Sequence, residues 1–434
     1  MNPTFAHRLD DLPESATLKI NRLSQQYIKE GRKIYKFGLG QSPFPVPPHI
    51  VEELRQNAHQ KDYLPVEGLR ELRMAIATYR SSKHGVTISP ENVMVGPGSK
   101  ELLFLLQLCY NGNLLLPNPS WVSYAPQAHI IGRKVHWIDT TPENDWKLQP
   151  SELEQMCLEL DGNKNRLLLL NSPCNPTGAT YTSDELLQIA EVARRHNLCV
   201  MSDEIYGGCT FSGGREGHRG QSIATHYPEG TIIFGGISKW AGAGGWRLGA
   251  CSFPDQLTWL KKRMCAVASE TYTSVSSPIQ YAAVRLYDVQ NPDTEAYLKA
   301  TQTILGALAH HVTYALRSCG AKVSEPGGGF YVFPDIGACP RIMKEGFRTS
   351  TDMCSHILET TGVAMLPGSC FGRPSNEMTV RLSFVHFNGT HAIERWTHDG
   401  CPSIKGILEK GHLHTYCPET LEGIQKLTEY LAQK

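Results

Sequence analysis

Lys239 is the residue of this sequence best placed to act as a nucleophile. It stands in the stretch GGISKWAGAGGWRLGA, residues 235–250, directly after the apolar run TIIFGGI and with no second charge before Arg247. Apolar surroundings disfavour an ammonium ion, so this amine should be unusually nucleophilic and suited to forming a Schiff base. A surface lysine that extends into solvent after an edge strand is the commoner arrangement. The assignment therefore depends on the other turns of the chain.

Three polar residues in two other turns match the needs of an aromatic cofactor ring. Asp203, in SDEIY, ends an apolar strand, and a carboxylate there can hold a protonated pyridine nitrogen, as pyridoxal phosphate requires. Asn175, at the end of the strand that runs into NSPCNPTG, and the hydroxyl of Tyr206 can each donate to a phenolate oxygen. Taken singly, Asp203 can equally be a strand-end cap and Asn175 an ordinary turn residue.

A phosphate site is indicated where GPGSKELL passes from a strand into a helix. Gly98, Ser99 and Lys100 stand at that point, where free backbone N–H groups and the helix dipole favour an anion. Arg247 adds a fixed cation for the same phosphate. Trp121, in PNPSWVSY, is suited to lie flat on a cofactor ring, or else to be a core residue.

Five short apolar runs, each followed by a polar or glycine-rich turn, precede these residues. They are ENVMVG, NGNLLLP, NRLLLLN, NLCVMSD and GTIIFGG, and they have the pattern of buried strands. Between two of them, SDELLQIAEVARRH is apolar at helical spacing, and Thr182 with Glu185 forms a capping-box signature at its start. Strands that alternate with helices predict a mainly parallel sheet between helices, with ligands beyond the carboxyl ends of the strands.

Length and composition favour a cytoplasmic protein with two domains, or with one large domain and a smaller one on its flank. The chain has 434 residues, and its 42 basic and 42 acidic residues give a formal net charge of zero, which favours neither nucleic acid nor an anionic membrane as a partner. No window is apolar enough for a membrane span, and we expect no targeting segment. The 13 cysteines lack regular spacing, which indicates reduced thiols in the cytoplasm.

Together these motifs resemble the class I/II pyridoxal-phosphate-dependent aminotransferases of the aspartate aminotransferase superfamily, which have fold type I. The resemblance covers about residue 10 to about residue 385 and resumes in the last helix. It is carried by SKWAGAGGWRLGA, NSPCNPTG, SDEIY, GPGSKELL, PNPSWVSY, MTVRLSFV, LGQSPFPVP and YLPVEGLRELR, in the family's order and spacing. It implies an α/β fold, with a large cofactor-binding domain over residues 48–303, whose mainly parallel sheet lies between helices, and a smaller α+β domain over residues 1–47 and 304–434.

The resemblance also implies a function and its residues. The function is that of an amino acid:2-oxo acid aminotransferase working through the aldimine of pyridoxal phosphate with Lys239. Arg381 binds the substrate carboxylate together with Asn175, and Gly40 lets backbone approach that carboxylate. Tyr63 reaches the phosphate of the neighbouring subunit, which implies a homodimer with shared active sites. The implied catalytic residues are Lys239, Asp203 and Tyr206, and the implied cofactor-binding residues are Gly98, Ser99, Lys100, Trp121, Asn175, Asp203, Tyr206, Ser238, Lys239, Arg247 and Tyr63.

Two features depart from the family pattern. Three residues before the lysine the family often has a serine that donates to the phosphate, whereas this chain has Gly236, and Ser238 is the candidate substitute. An extra segment, residues 386–417, precedes the closing helix PETLEGIQKLTEYL and contains five histidines and two cysteines. Their spacing fits no regular zinc motif. We therefore expect a surface insertion and no metal.

Two other functions use the same motifs. A β-eliminating C–S lyase, or another pyridoxal-phosphate enzyme, shares the cofactor residues, and a non-catalytic interaction protein keeps only the scaffold. The stretch ETYTSVSSPIQ bears on the substrate, because Tyr272 occupies the place of the arginine that, in the dicarboxylate-specific branch, binds the distal carboxylate. A phenol cannot supply that charge. This disfavours aspartate by that route, and we expect neutral apolar or aromatic amino acids to be at least as good donors.

Overall fold

The structure is a computed structural model that describes residues 16–160, 165–211, 221–288 and 290–434. Its helices are α1 (Ala16–Lys29), α2 (Pro48–Asn57), α3 (Arg70–His84), α4 (Ser99–Cys109), α5 (Tyr124–Ile130), α6 (Pro150–Glu159), α7 (Ser183–Arg195), α8 (Thr258–Ser269), α9 (Ser277–Leu286), α10 (Pro292–Ser318), α11 (Pro340–Glu345), α12 (Ser350–Thr361), α13 (Gly389–His398), α14 (Ile404–Glu409), α15 (Leu413–Tyr416) and α16 (Pro418–Leu431). Its strands are β1 (Tyr35–Lys36), β2 (Val93–Gly96), β3 (Asn113–Asn118), β4 (Val135–Asp139), β5 (Arg166–Asn171), β6 (Cys199–Asp203), β7 (Thr231–Gly236), β8 (Gly249–Ser252), β9 (Tyr331–Val332), β10 (Val363–Ala364), β11 (Leu366–Pro367) and β12 (Val380–Ser383).

A seven-stranded sheet forms the centre of the larger part of the molecule. Its strand order is β2-β8-β7-β6-β5-β3-β4, and every pairing is parallel except those of β8, which runs antiparallel to β2 and β7. The predicted mainly parallel sheet is confirmed, and the five apolar runs contain β2, β3, β5, β6 and β7. The antiparallel strand β8 was not predicted.

Alternate residues of the strands bury their side chains on the two faces of this sheet, because successive side chains of a strand point in opposite directions. Leu114 and Leu116 of β3 belong to the core formed with α4 and α8, whereas Leu115 belongs to the core formed with α6 and α7. Helices therefore cover both faces, as predicted. The capping box at the start of α7 is also confirmed, since Thr182 and Glu185 each accept the other's backbone N–H.

The smaller part of the molecule combines short strands with helices. β12 pairs antiparallel with β9 and β11, and β1 pairs parallel with β10. The predicted closing helix is confirmed as α16. α10 has 27 residues and runs through the predicted boundary after residue 303, so the residue limits of the two domains stay a prediction. None of the helices in the described ranges is long and apolar enough to cross a membrane.

The segment predicted as a surface insertion forms α13, α14 and α15. Its inner side chains, which include Trp396, Ile407 and Tyr416, are buried in the main core. Gly306 of α10 lies beneath α14, where an added Cβ atom would come within 2.5 Å of the Ile404 side chain. The insertion is thus packed into the small part of the molecule rather than attached to its surface.

Candidate active site

The amine of Lys239 lies in a partly buried position three residues after β7 ends. Its Nζ donates to the carbonyl oxygen of Gly40 at 2.7 Å, and it lies 5.6 and 5.8 Å from the ring centroids of Tyr206 and Phe330. Burial lowers the pKa of Lys239 to about 8, and the positive charge of Arg381 acts in the same direction. The environment predicted from the sequence, which favours the neutral amine, is the one found.

Asp203 ends β6, directly beside β7, with its carboxylate almost fully buried. The hydroxyl of Tyr124 donates to Oδ2 at 2.7 Å, and the backbone N–H of Ile205 donates to Oδ1 at 3.1 Å. Burial raises the pKa of Asp203 to about 6, although both hydrogen bonds oppose the shift. A cation beside this carboxylate would hold it ionised.

The prediction that Asn175 ends a strand is wrong. β5 ends at Asn171, whose side-chain amide donates to the Asp203 carbonyl at 2.8 Å and whose side-chain oxygen accepts the N–H of Asn175, also at 2.8 Å. Asn171 therefore fixes the turn, which places the Asn175 side chain against Arg381.

Arg381, in β12, is a buried cation whose identified hydrogen-bond partners are uncharged. Its Nη1 donates to Asn175 Oδ1 at 3.1 Å, and its Nη2 donates to the carbonyl oxygen of Gly38 at 2.6 Å. Nε is buried without a hydrogen-bond partner in the described residues. Burial lowers the pKa of Arg381. A carboxylate ligand would supply the missing negative charge.

Two tyrosine hydroxyls meet beside Gly40. The Oη atoms of Tyr206 and Tyr331 lie 2.8 Å apart, and both residues are buried. A side chain at position 40 would overlap the Tyr331 hydroxyl. The glycine is thus required by this contact inside the protein, in addition to the predicted approach of backbone to substrate.

The predicted phosphate residues lie together at the start of α4. Gly98, with φ of 95°, precedes the helix and Ser99 begins it. The Arg247 guanidinium lies against Gly98 and donates to the carbonyls of Pro97 at 3.1 Å and Gly244 at 2.9 Å. Backbone donors, helix dipole and cation therefore converge, as a phosphate requires. Lys100 is exposed, with its Nζ 4.9 Å from the Trp121 ring centroid.

The remaining predicted positions have different surroundings. Tyr63 is 88% exposed on this chain. Ser238 is partly buried, one residue before the lysine. Gly236 leaves no room for the serine of the family, since a Cβ atom there would lie 2.8 Å from the Leu248 carbonyl oxygen. The hydroxyl of Tyr272 is buried without a hydrogen-bond partner in the described residues, close to Gly96 of its own chain.

Four of the five histidines of the insertion contact other protein groups. Asp399 accepts from His398 Nδ1 at 3.1 Å and from Tyr416 Oη at 3.0 Å, and it pairs with His412 at 3.3 Å. The His386 ring packs edge-on against Tyr35. Within the described part of the chain, no three His, Cys, Asp or Glu residues are grouped so that they can hold a metal ion.

A cavity of about 750 Å³ lies between α10, α14 and residues 177–180, and Lys239 is not among the residues that line it. Charged side chains at its rim are paired within the protein, as His310 is with Glu325 at 3.2 Å and Lys405 is with Glu409 at 3.6 Å. The charged groups of this cavity are thus already engaged, and the candidate active site is the one around Lys239.

Two residues of the site were missed by sequence reasoning. Tyr124 lies in the quoted motif PNPSWVSY, but its bond to Asp203 joins residues 79 positions apart. Tyr331 follows the glycine-rich run GGGF, and its bond to Tyr206 spans 125 positions. Neither contact has a signal in local spacing.

Lys239 follows the strand that pairs with the carboxylate-bearing strand, Arg247 lies near the start of α4, and Arg381 is buried in β12. These groups match the needs of an amino acid and a phosphorylated cofactor. A sequence profile of the family described as Aminotransferase class I and II matches residues 32–390. The chain belongs to this family, whose enzymes depend on pyridoxal phosphate and transfer amino groups from amino acids to 2-oxo acids. The match ends at residue 390, so α14 and α15 lie beyond it.

Named relatives agree with this assignment. The chain is 30% identical to the aspartate aminotransferase of Bacillus subtilis (strain 168), over 88% of this chain and 94% of that protein. It is also 30% identical to the asparagine–oxo-acid transaminase of Streptococcus mutans, over 88% of this chain and 94% of that protein. These names favour transamination over the lyase and the non-catalytic alternatives.

Solved structures share the fold. The aspartate aminotransferase from Thermus thermophilus with maleate superimposes with a TM-score of 0.82 at 24% identity, covering 99% of this chain and 100% of that one. The aromatic aminotransferase from Pyrococcus horikoshii superimposes with a TM-score of 0.76 at 27% identity, covering 94% of this chain and 98% of that one. The fold class is therefore the one that the resemblance implied.

Proposed function

We propose that this aminotransferase holds pyridoxal phosphate between Lys239, Asp203 and the start of α4. The observation that carries the proposal is the pairing of β6 with β7, which brings a low-pKa amine and a buried carboxylate to the same edge of the sheet. Gly98, Ser99 and Arg247 would hold the phosphate, with Trp121 against the ring. When bound, the cofactor supplies the electron sink for the bond broken at the substrate Cα.

The protein's own residues would then move and hold protons. The Lys239 amine would take the proton from the substrate Cα and return it. Its lowered pKa leaves part of the amine neutral near pH 7, as a base requires. Asp203 would keep a proton on the ring nitrogen of the bound cofactor by holding its own negative charge beside it. Asn175 and Tyr206 would donate hydrogen bonds to the phenolate oxygen of the ring.

Arg381 would bind the α-carboxylate of the amino acid and of the 2-oxo acid. The guanidinium already lies between Asn175 and the carbonyl oxygen of Gly38, and a bidentate pair with the carboxylate there would fix the direction of the bonds to Cα. The burial of this arginine strengthens the electrostatic attraction, because little water competes for the charge.

We further propose a homodimer with shared active sites. Tyr63, which is 88% exposed on the isolated chain, would reach the phosphate of the partner.

All thirteen cysteines are free thiols, which supports a reducing compartment such as the cytoplasm.

For the amino donor, we propose an amino acid with a distal carboxylate or amide. Lys100 supplies a cation beside Trp121, with its Nζ 4.9 Å from the Trp121 ring centroid, and Trp121 is the residue that the proposal sets against the cofactor ring. A distal carboxylate or amide of the substrate would meet this cation. The names of the two relatives, aspartate and asparagine enzymes, support the same class. A second candidate is a neutral apolar or aromatic donor. It is favoured by Tyr272, which stands where the dicarboxylate-specific branch of the family has an arginine.

Steady-state kinetics with purified protein, pyridoxal phosphate and one 2-oxo acid test both candidates. We would compare kcat/KM for aspartate, asparagine, alanine and phenylalanine. An advantage of about tenfold for aspartate, or about 1.4 kcal/mol in transition-state binding, that Lys100→Met abolishes would support the distal carboxylate. Equal or better values for phenylalanine would support the neutral donors. Absence of amino-group exchange with every donor would refute the transaminase.

A further inference from the structure

We propose that Tyr331 is a positioning residue that joins the cofactor-binding tyrosine, Tyr206, to the carboxylate-binding arginine, Arg381. Its hydroxyl lies 2.8 Å from the Tyr206 hydroxyl, and its ring lies under the Arg381 guanidinium, with 4.7 Å between the guanidinium carbon and the ring centroid. The inference rests on the proposed function, because Tyr206 matters here only as a donor to the cofactor.

The hydroxyl of Tyr331 determines whether the hydroxyl proton of Tyr206 is available for a hydrogen bond to the cofactor. A hydroxyl has one proton, so Tyr206 can donate to the cofactor only when it accepts, rather than donates, in its bond with Tyr331. Tyr331 as the donor leaves the Tyr206 proton available and, through a chain of two hydrogen bonds, makes it a stronger donor. Both residues are buried, so bulk water does not replace this bond.

The backbone around the two tyrosines holds the arrangement in place. Gly40 lies so close to the Tyr331 hydroxyl that any side chain at position 40 would overlap it. The carbonyl of the same glycine accepts from the Lys239 amine at 2.7 Å. A shift of Tyr331 would therefore disturb Lys239 and Tyr206 together.

The ring of Tyr331 has a second and separable role. A guanidinium over an aromatic face is attracted by the ring quadrupole, and Phe371 lies near the same guanidinium, with its ring centroid at 5.0 Å. The two rings support Arg381 in the orientation in which Asn175 and the backbone of Gly38 accept from it. This role requires the ring of Tyr331 and not its hydroxyl.

The test follows the absorbance of bound pyridoxal phosphate against pH, alongside the KM for the amino donor. A hydroxyl that donates to the phenolate oxygen competes with the proton on the Lys239 nitrogen, so weakening the donor raises the pH midpoint. Tyr331→Phe should raise the midpoint by about half a pH unit to one unit, as expected for one neutral hydrogen bond, and should leave KM within about threefold. Tyr331→Leu, which also removes the ring, should give the same shift and raise KM by about fivefold or more.

A double variant decides whether Tyr331 acts through Tyr206. Tyr206→Phe/Tyr331→Phe should have the midpoint of Tyr206→Phe alone, because the second hydroxyl has nothing left to orient. As a matched control, Tyr227→Phe removes another buried tyrosine hydroxyl, bonded to the Leu198 carbonyl at 3.0 Å, and should leave both the midpoint and KM unchanged.

Three results would overturn the proposal. They are an unshifted midpoint in Tyr331→Phe, a shift that adds fully to that of Tyr206→Phe, and an unchanged KM in a folded Tyr331→Leu protein. A wild-type protein with no cofactor absorbance would instead refute the proposed function, so the two failures are distinguishable.

Discussion

Replacing Asp203 with asparagine should stabilise the cofactor-free protein at neutral pH. The carboxylate is buried, and its pKa is raised from the ordinary value of 3.8 to about 6, so the folded state favours the protonated form. A raised folded pKa contributes stability that is fully present below about pH 4 and is lost as the pH rises through about 6. Asparagine is uncharged at every pH, so the Asp203→Asn protein does not lose this stability as the pH rises.

The magnitude follows from the shift. About two pKa units correspond to about 3 kcal/mol between the low-pH and neutral limits. In the variant, the side-chain oxygen of the asparagine still accepts from the Ile205 N–H, and the Tyr124 hydroxyl can rotate to accept from the new amide. This change of hydrogen bonding costs about 1 kcal/mol of stability and hardly depends on pH. Asp203→Asn should therefore be slightly less stable than wild type at pH 4 and about 2 kcal/mol more stable at pH 7.5.

Urea unfolding of the cofactor-free proteins, followed by tryptophan fluorescence at equal protein concentration, measures the difference at the two pH values. Glu204, the next residue, is a matched control of opposite sign. Burial acts to raise its pKa, but pairing with His84 at 3.1 Å, the charge of Lys83 and the hydrogen bond from Ser222 together lower the pKa to about 2. Glu204→Gln should therefore destabilise the protein at pH 7.5. If Asp203→Asn has the pH dependence of wild type, the carboxylate does not titrate as argued.

Three further outcomes are expected. Borohydride reduction of the cofactor-bound protein should attach the cofactor to the peptide that contains Lys239, and label found on Lys100 would contradict the assignment. Mixing Tyr63→Phe with Lys239→Ala subunits should restore part of the activity, because hybrid dimers contain one intact site; fully exchanged hybrids without activity would exclude site sharing. Gly40→Ala should lower kcat by at least about tenfold, since its methyl group would overlap the Tyr331 hydroxyl, whereas Gly245→Ala, where a Cβ meets nothing within 4 Å, should remain active.

The sequence predicted those parts of the site that follow the ends of strands. Asp203 ends β6, the phosphate turn follows β2, and Lys239 follows β7, so periodicity and turn composition located all three. The capping box of α7 and the bounds of α16 were also predictable, because their signals are local.

The contacts that cross the molecule were not predictable in this way. Tyr124 and Tyr331 reach their partners over 79 and 125 residues, and no spacing rule joins them. β8 has the sequence GACS, whose small and polar residues lack the apolar run that β2 shows in VMVG. The inner face of the insertion was missed because its apolar residues are spread over three short helices, none longer than ten residues.

Gly306 has a consequence for anyone who wishes to shorten this enzyme. A glycine inside a helix costs about 1 kcal/mol relative to alanine, and here the missing side chain makes room for Ile404 of the insertion. Deleting residues 386–417 would remove Ile404 and expose the apolar surface of α10 that it covers. The segment therefore cannot be deleted without changing α10. A truncated enzyme would need a larger residue at position 306 to fill the space that Ile404 occupies.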